Sequence, residues 1–350
     1  MTKLLSIIMP ARNEEANLPR AYEEVTSLMA VMPYDYEVLV IDNDSTDGTG
    51  VVAAGICAAD PRWRYLKFSR NFQVETSISA GLQYARGDAA IVLFSDLQDP
   101  PELIADFVKK WEAGYDVVYG VLRKRTGDSF LRATMARTYY WLIHRLSDVE
   151  ITPNATDFRL LSRRAIDAMN QFQERNRFVR GLAHWIGFKR CAIEYDRRPR
   201  VAGQSKAPFW YCLNLAINAI TCFSIRPLQM FSLCGVAAAA ATVVFAGIHL
   251  ACFLLNLALP GMTTVYMLLL ANLAVMLLGF GTLGEYIGRI YIEAKQRPLF
   301  LIEHTINLDV EGFDKGKKKF TTEDTEDHRG ITHAVSHSHL RESEEPIVGM

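Results

Sequence analysis

Short apolar runs alternate with longer mixed stretches through the first part of the chain. Leu4 to Met9, Tyr36 to Ile41, Tyr65 to Phe68 and Ala89 to Phe94 read as strands; Glu14 to Met32, Gly48 to Ala59, Val74 to Ala85 and Pro101 to Ala113 read as helices. Gly and Asp punctuate the joins. The alternation predicts an α/β fold of βα units around a mostly parallel sheet. Ligands of such sheets sit outside the carboxyl ends of the strands, so chemistry is expected just after Met9, Ile41 and Phe94.

Further on the pattern changes. No Asp, Glu, Lys or Arg occurs between Arg226 and Glu285, a stretch more than twice the roughly 20 residues one helix needs to cross a bilayer. Phe231 to Leu257 and Thr264 to Gly284 form two apolar segments around the turn residues Leu259-Pro260-Gly261. They predict a transmembrane hairpin; a helical hairpin buried in a large soluble protein is the competing explanation. Arg226 precedes the first segment and Arg289, Lys295 and Arg297 follow the second, which places both ends in the cytoplasm. Leu4 to Met9 is too short for a signal peptide and is followed by Arg12 and Glu14, so none is expected.

The resulting organisation is an αβ domain over 1–206, an interfacial segment over 207–226, two membrane helices over 227–290 and a cytoplasmic segment over 291–350 with a disordered tail. Trp210 and Tyr211 suit headgroup depth, although a plain core helix would also accommodate 207–225. The polar composition after about Glu311 predicts disorder; its four histidines, His328, His333, His337 and His339, suit a solvated tail better than a metal site.

A chain of 350 residues with 50% hydrophobic content can bury a full core, and its formal net charge of -1 gives no reason to expect a nucleic-acid partner. Its six cysteines include no CxxC pair, so they read as buried thiols in a reducing compartment.

Three motifs fall at predicted strand ends: Pro10-Ala11-Arg12-Asn13-Glu14, Asp42-Asn43-Asp44-Ser45-Thr46-Asp47-Gly48-Thr49, and Ser95-Asp96-Leu97-Gln98-Asp99-Pro100-Pro101-Glu102. The second offers Asp42 and Asn43 to the base and ribose of a nucleotide, and equally suits a capped strand-to-helix turn. The third concentrates Asp96, Gln98 and Asp99 behind a strand, hard oxygen donors suited to Mg²⁺ or Mn²⁺ together with substrate phosphates. Its Pro-Pro-Glu end also fits an ordinary helix start. Asp157-Phe158-Arg159, Arg197-Arg198-Pro199-Arg200 and Gly203-Gln204-Ser205-Lys206 bring cations toward the membrane segment, where a lipid phosphate is the attractive ligand. Anionic headgroups or solvent would satisfy some of the same charges.

In order along the chain, PARNEEANLP, IDNDSTDGT, FSRNF, SDLQDPPE, TDFRLLSRR, RFVRGL, WIGF and RVAGQSK, followed by two membrane segments, resemble the family 2 glycosyltransferases of the polyprenyl-phosphate branch, such as dolichyl-phosphate mannosyltransferases and bactoprenol glucosyltransferases. The resemblance spans about Leu4 to Gln296. It implies a GT-A, Rossmann-like catalytic domain. Pro10, Arg12, Glu14, Ile41 and Asn43 would then contact the nucleotide, and Ser95, Asp96 and Gln98 the metal and diphosphate. Arg123, Arg200 and Lys206 would hold phosphates, and Asp157 would serve the acceptor side. Phe94 stands where the family's metal motif has its first Asp, which leaves the metal to Asp96, Gln98 and the diphosphate. Asp42-Asn43 stands for a paired Asp-Asp, and Arg12 for a frequent Tyr.

The resemblance further implies inverting transfer of a sugar from a nucleotide-sugar donor, UDP-linked by preference, to undecaprenyl phosphate or another polyprenyl phosphate. The enzyme would sit in the inner (cytoplasmic) membrane among its lipids with the catalytic domain in the cytoplasm, a separate flippase would move the product, and self-association is a further expectation. A non-catalytic nucleotide-sugar-binding scaffold is one alternative. A processive polysaccharide synthase is another, but a Gln-x-x-Arg-Trp motif is absent.

Overall fold

The computed structural model describes residues 2–123, 152–175, 177–198, 226–255 and 262–310. The first half follows the predicted alternation: β1 (Leu4–Ala11), α1 (Leu18–Ala30), β2 (Asp35–Asp42), α2 (Thr49–Ala59), β3 (Trp63–Phe68), α3 (Val74–Tyr84), β4 (Ala89–Val92) and α4 (Leu103–Glu112). Then come β5 (Val117–Leu122), β6 (Ala155–Ser162), α5 (Arg163–Gln171), α6 (Val179–Trp185) and β7 (Arg190–Tyr195). Two long helices, α7 (Arg226–Leu254) and α8 (Met262–Ala294), precede a last strand, β8 (Ile302–Ile306).

One eight-stranded sheet runs in the order β7-β5-β6-β4-β1-β2-β3-β8. The β3-β2-β1-β4 half is parallel throughout, with Ile8 of β1 beside Leu39 of β2 and Val92 of β4. Its central strands are near-continuous apolar runs because helices cover both faces and both sets of side chains are buried. Helix α1 contributes Leu18, Ala21, Val25 and Met29, spaced to form one apolar stripe. Strand β6 then runs antiparallel between β4 and β5, which brings its first residues to the edge where β1, β2 and β4 end. The rings of Phe107 and Phe158 pack 4.6 Å apart beneath that half.

The sequence assigns 291–350 as a whole to a cytoplasmic segment, whereas Ile302–Ile306 adds β8 antiparallel to β3 and so extends the sheet. Phe300 stacks on Phe68 at 5.1 Å, and the Asn307 side chain donates to the carbonyls of Cys57 and Trp63 at 2.8 and 3.0 Å. The chain leaving α8 is thereby fastened to the sheet. The expected interfacial segment, apart from Arg226, and the expected tail after 311 lie outside the described residues.

Leu228–Ile248 and Leu268–Ala294 are helices long and apolar enough to cross a membrane. Their apolar side chains, among them Leu233, Val243, Leu270 and Leu277, are exposed, unlike those of a hairpin buried in a protein core. Gly279 lets the two helices approach closely: a Cβ there would collide with the Phe231 ring.

Candidate functional site

The three sequence motifs meet at the carboxyl ends of β1, β2 and β4. Asn43 N–H donates to the Ala11 carbonyl at 2.9 Å and Leu93 N–H to that of Ile8 at 2.9 Å, so each chain leaves its strand beside the next. Asn13, Asp44, Gln73, Leu97 and Asn154, all on loops at this edge, adopt left-handed backbone with φ between 47° and 73°. For Leu97, a bulky residue without a local side-chain bond to stabilise that region, such backbone costs on the order of 1–3 kcal/mol and is characteristic of functional loops.

The first two motifs are zipped together. Asn13 receives a hydrogen bond from Thr46 N–H at 2.8 Å and gives its own N–H to Ser45 Oγ at 2.9 Å. Glu14 N–H donates to Thr49 Oγ1 at 2.8 Å, and the Glu15 carboxylate accepts from Gly48 N–H at 2.9 Å. Gly48 permits this contact, since a Cβ would stand 2.6 Å from the Glu15 carboxylate. Asp42, almost fully buried, accepts from Ser45 N–H, Ser45 Oγ and, at 2.6 Å, the Tyr65 hydroxyl. Asn43 is bonded through its side chain to Asn71 at 2.9 Å and to Phe72 N–H at 2.7 Å. The side chains of Asp42 and Asn43 thus shape the loop. Pro10 and Ile41 are buried, Arg12 is exposed and Glu14 is half-buried, with Asn17 bonded to its carboxylate at 2.6 Å.

In the third motif, Asp96 and Gln98 are half-exposed on either side of Leu97, and Gln98 N–H lies 3.3 Å from Asp96 Oδ1. Ser95 is buried, with its hydroxyl 3.4 Å from the Pro10 carbonyl. Asp99 is committed elsewhere: it accepts from Arg197 at 2.8 and 3.1 Å and from the Tyr195 hydroxyl. Tyr195 reaches on to Thr156 Oγ1 at 3.1 Å. Burial, then the Asp99 charge, drives the Tyr195 phenol far above its ordinary range, so it stays a neutral donor.

Next to Thr156, Asp157 holds Arg180 through two bonds of 2.7 Å, and Arg159, almost fully buried, lies 3.5 Å from the same carboxylate. Burial opposes ionisation of Asp157, but the Arg180 charge and hydrogen bonds, with Arg159 and Arg197 behind, outweigh it and hold this carboxyl below its usual range. Glu75 of α3 faces the pair and accepts Val179 N–H at 3.0 Å. Burial, and after it the Asp157 charge, raises the Glu75 carboxyl despite Arg180. His184 is buried beside Arg180; its Nδ1 lies 2.8 Å from the Arg180 carbonyl, and burial pushes the ring down to about 4.

Of the residues expected at the site, the structure brings Pro10, Arg12, Glu14, Ile41, Asp42, Asn43, Ser95, Asp96, Gln98 and Asp157 to one edge of the sheet. Arg123, at the end of β5, is exposed and sits 3.7 Å from the carboxylates of Glu194 and Asp196. Arg200 and Lys206 lie outside the described residues. Sequence reasoning missed Glu75 and the role of Tyr195. The one available signal for Glu75 was a single acid in an otherwise uncharged helix, VETSISAGLQY.

Asp96 and Gln98 are compatible with a hard divalent cation, being half-exposed oxygen donors two residues apart. Among the described residues no group of three or more His, Cys, Asp or Glu could hold a metal ion; cations of this kind are commonly bound through one or two carboxylates together with substrate phosphates and water.

Residues 6–169 match the sequence model of the family described as Glycosyl transferase family 2. The chain is similar to the uncharacterized glycosyltransferase YkcC of Bacillus subtilis, 37% identical over 87% of this chain and 94% of that one. It is 36% identical to the bactoprenol glucosyl transferase of Shigella phage SfV, over 86% of this chain and 98% of the relative. To the prophage bactoprenol glucosyl transferase homolog of Escherichia coli it is 35% identical, covering 85% of this chain and 98% of the other.

Proposed function

This chain belongs to glycosyl transferase family 2 and is a glycosyltransferase of the polyprenyl-phosphate type, and we propose that it transfers a sugar from a nucleotide-sugar donor to a polyprenyl phosphate at the cytoplasmic face of a membrane. The observation that carries this reading is the gathering of the Asp96-Gln98 loop, the Asp99-Arg197 pair and the Asp157-Arg180 pair at one strand edge. The relatives named for bactoprenol match the chain through both long apolar helices. UDP-linked sugar and undecaprenyl phosphate are the favoured substrates, and α7 and α8 span the membrane.

The nucleotide lies along the zipped first and second motifs, with Pro10, Arg12, Glu14, Ile41, Asp42, Asn43, Ser95 and Arg123 around it. Asp42 acts through the loop it organises. Asp96 and Gln98 would hold a divalent cation, Mg²⁺ or Mn²⁺, which when bound would neutralise charge on the diphosphate. Arg197, fixed by Asp99, adds positive charge beside Asp96, and Arg200 and Lys206 supply further phosphate contacts. The acceptor phosphate is already anionic near neutral pH, so an oxygen of it attacks the anomeric carbon without a strong base. The C–O bond to the nucleoside diphosphate breaks as the new one forms, with inversion of configuration. The protein orients the two substrates and stabilises the charge that develops. Asp157 orients the acceptor through Arg180 and Arg159.

The test is the anomeric configuration of the product formed from UDP-glucose and undecaprenyl phosphate: an inverted linkage is expected, and a retained one would rule out the single displacement.

A further inference from the structure

Glu75 is absent from the roles assigned above, yet it touches the acceptor-side cluster directly. It stands in the first turn of α3, half-buried, and its Oε2 accepts Val179 N–H at 3.0 Å, where α6 begins. The next residue of α6 is Arg180, whose guanidinium is held on Asp157 by two bonds. Glu75 therefore fixes the backbone that carries Arg180 and at the same time faces the Arg180-Asp157 pair.

We propose that Glu75 is a positioning residue of the transfer reaction that also sets the charge of the acceptor side. Neutral, it leaves Arg159 and Arg180 sharing the single carboxylate of Asp157, with one positive charge in excess for an anionic phosphate. Ionised, it cancels that excess. The inference rests on the acceptor role read above for this cluster.

The neighbours are consistent with a group whose ionisation is poised. The charged residues acting on Glu75 are Asp157 and Arg159 from β6 and Arg180 from α6. On the far side of α3, α5 places Arg163 on the Ala85 carbonyl and Asn170 on that of Leu82, away from the carboxylate at the helix start. Burial and the Asp157 charge raise Glu75, while Asp157, clasped by Arg180, is lowered, so the two carboxyls are driven apart and Glu75 is the one that changes charge toward neutral pH. An arriving phosphate adds negative charge and favours the protonated form further, which links acceptor affinity to pH.

The experiment measures binding of undecaprenyl phosphate to the full chain in detergent between pH 6 and 8.5, for the unaltered protein and for Glu75→Gln. The amide keeps an oxygen for Val179 N–H and cannot ionise. Titration of the lipid phosphate itself is common to both proteins and cancels in their ratio. The unaltered protein is expected to lose about tenfold more affinity than Glu75→Gln across this range, the change that accompanies one pKa unit of linkage. Parallel pH profiles would overturn the charge-setting role and leave the proposed reaction standing. Failure of both proteins to bind undecaprenyl phosphate at any pH would overturn the acceptor reading and this inference with it. Binding of UDP-glucose serves as the second readout; the pH dependence of its affinity should be the same in the two proteins.

Discussion

At the scale of single residues, the site divides into buried side chains that build loops and side chains half-exposed at the strand edge. Asp42, Asn43 and Asp99 spend their oxygens within the protein, while Asp96 and Gln98 stand half-exposed at a turn the backbone makes at some cost. Asp96→Asn should therefore lower kcat/KM by at least about a hundredfold, the scale on which lost charge stabilisation is felt, with circular dichroism and the thermal midpoint unchanged. Asp157→Asn should differ, because it strands the buried Arg159 and removes the partner of the part-exposed Arg180: about 3–5 kcal/mol of stability goes with the activity, measured by thermal unfolding in detergent. His184 gives the fold an acid sensitivity. Its folded-state value of about 4 lies below the ordinary 6.5, so its neutral ring supports the fold above pH 6.5, and that support is lost as pH falls toward 4. At pH 5 the loss is about 2 kcal/mol, and His184→Gln should remove that part of the pH dependence.

The legible part of the site was its local part. Each motif packs several polar residues behind one apolar strand, and its position at a carboxyl end follows from the alternation alone. What escaped is made of long-range pairs. Asp99 and Tyr195 are 96 residues apart, Asp157 and Arg180 are 23 apart, and Glu75 and Val179 are 104 apart. No spacing rule connects such positions before the sheet order is known.

At the scale of elements, β1 to β4 and their helices were readable because buried parallel strands are unbroken apolar runs between clear turn residues. Strand β8 was not. Its five residues, Ile-Glu-His-Thr-Ile, sit at a sheet edge largely open to solvent and carry no apolar run. Only its pairing with β3 and the anchors on either side define it. Those anchors make it testable: Asn307→Ala removes both bonds to the Cys57 and Trp63 carbonyls and should cost about 1–3 kcal/mol. The expected consequence is earlier exchange of the β3 amides, read by hydrogen exchange, with little change at β1. Uniform loss of protection across the sheet would show instead that β8 is no separate attachment.

At the scale of the whole molecule, the central issue is why a glycosyltransferase domain carries two long apolar helices. A carrier lipid confined to a membrane explains both, since the acceptor must be met at the bilayer surface. The 29 residues of α7 and 33 of α8 give lengths of about 44 and 50 Å, enough to cross a ~30 Å hydrocarbon core and emerge. The proposed spanning hairpin puts both outer ends on the side of the catalytic domain, so a membrane-impermeant thiol reagent should reach Gly261→Cys from the face of sealed vesicles opposite to the one that gives access to Asp167→Cys. Labelling of both from one face would contradict a spanning hairpin.

The most direct test of the account is transfer itself. Purified full-length protein in detergent is given radiolabelled UDP- and GDP-sugars with undecaprenyl phosphate, in the presence of Mg²⁺, Mn²⁺ or EDTA. A labelled, chloroform-soluble product that forms with metal and disappears with EDTA is the predicted result. A folded protein that yields no labelled lipid from any of these donors would contradict it.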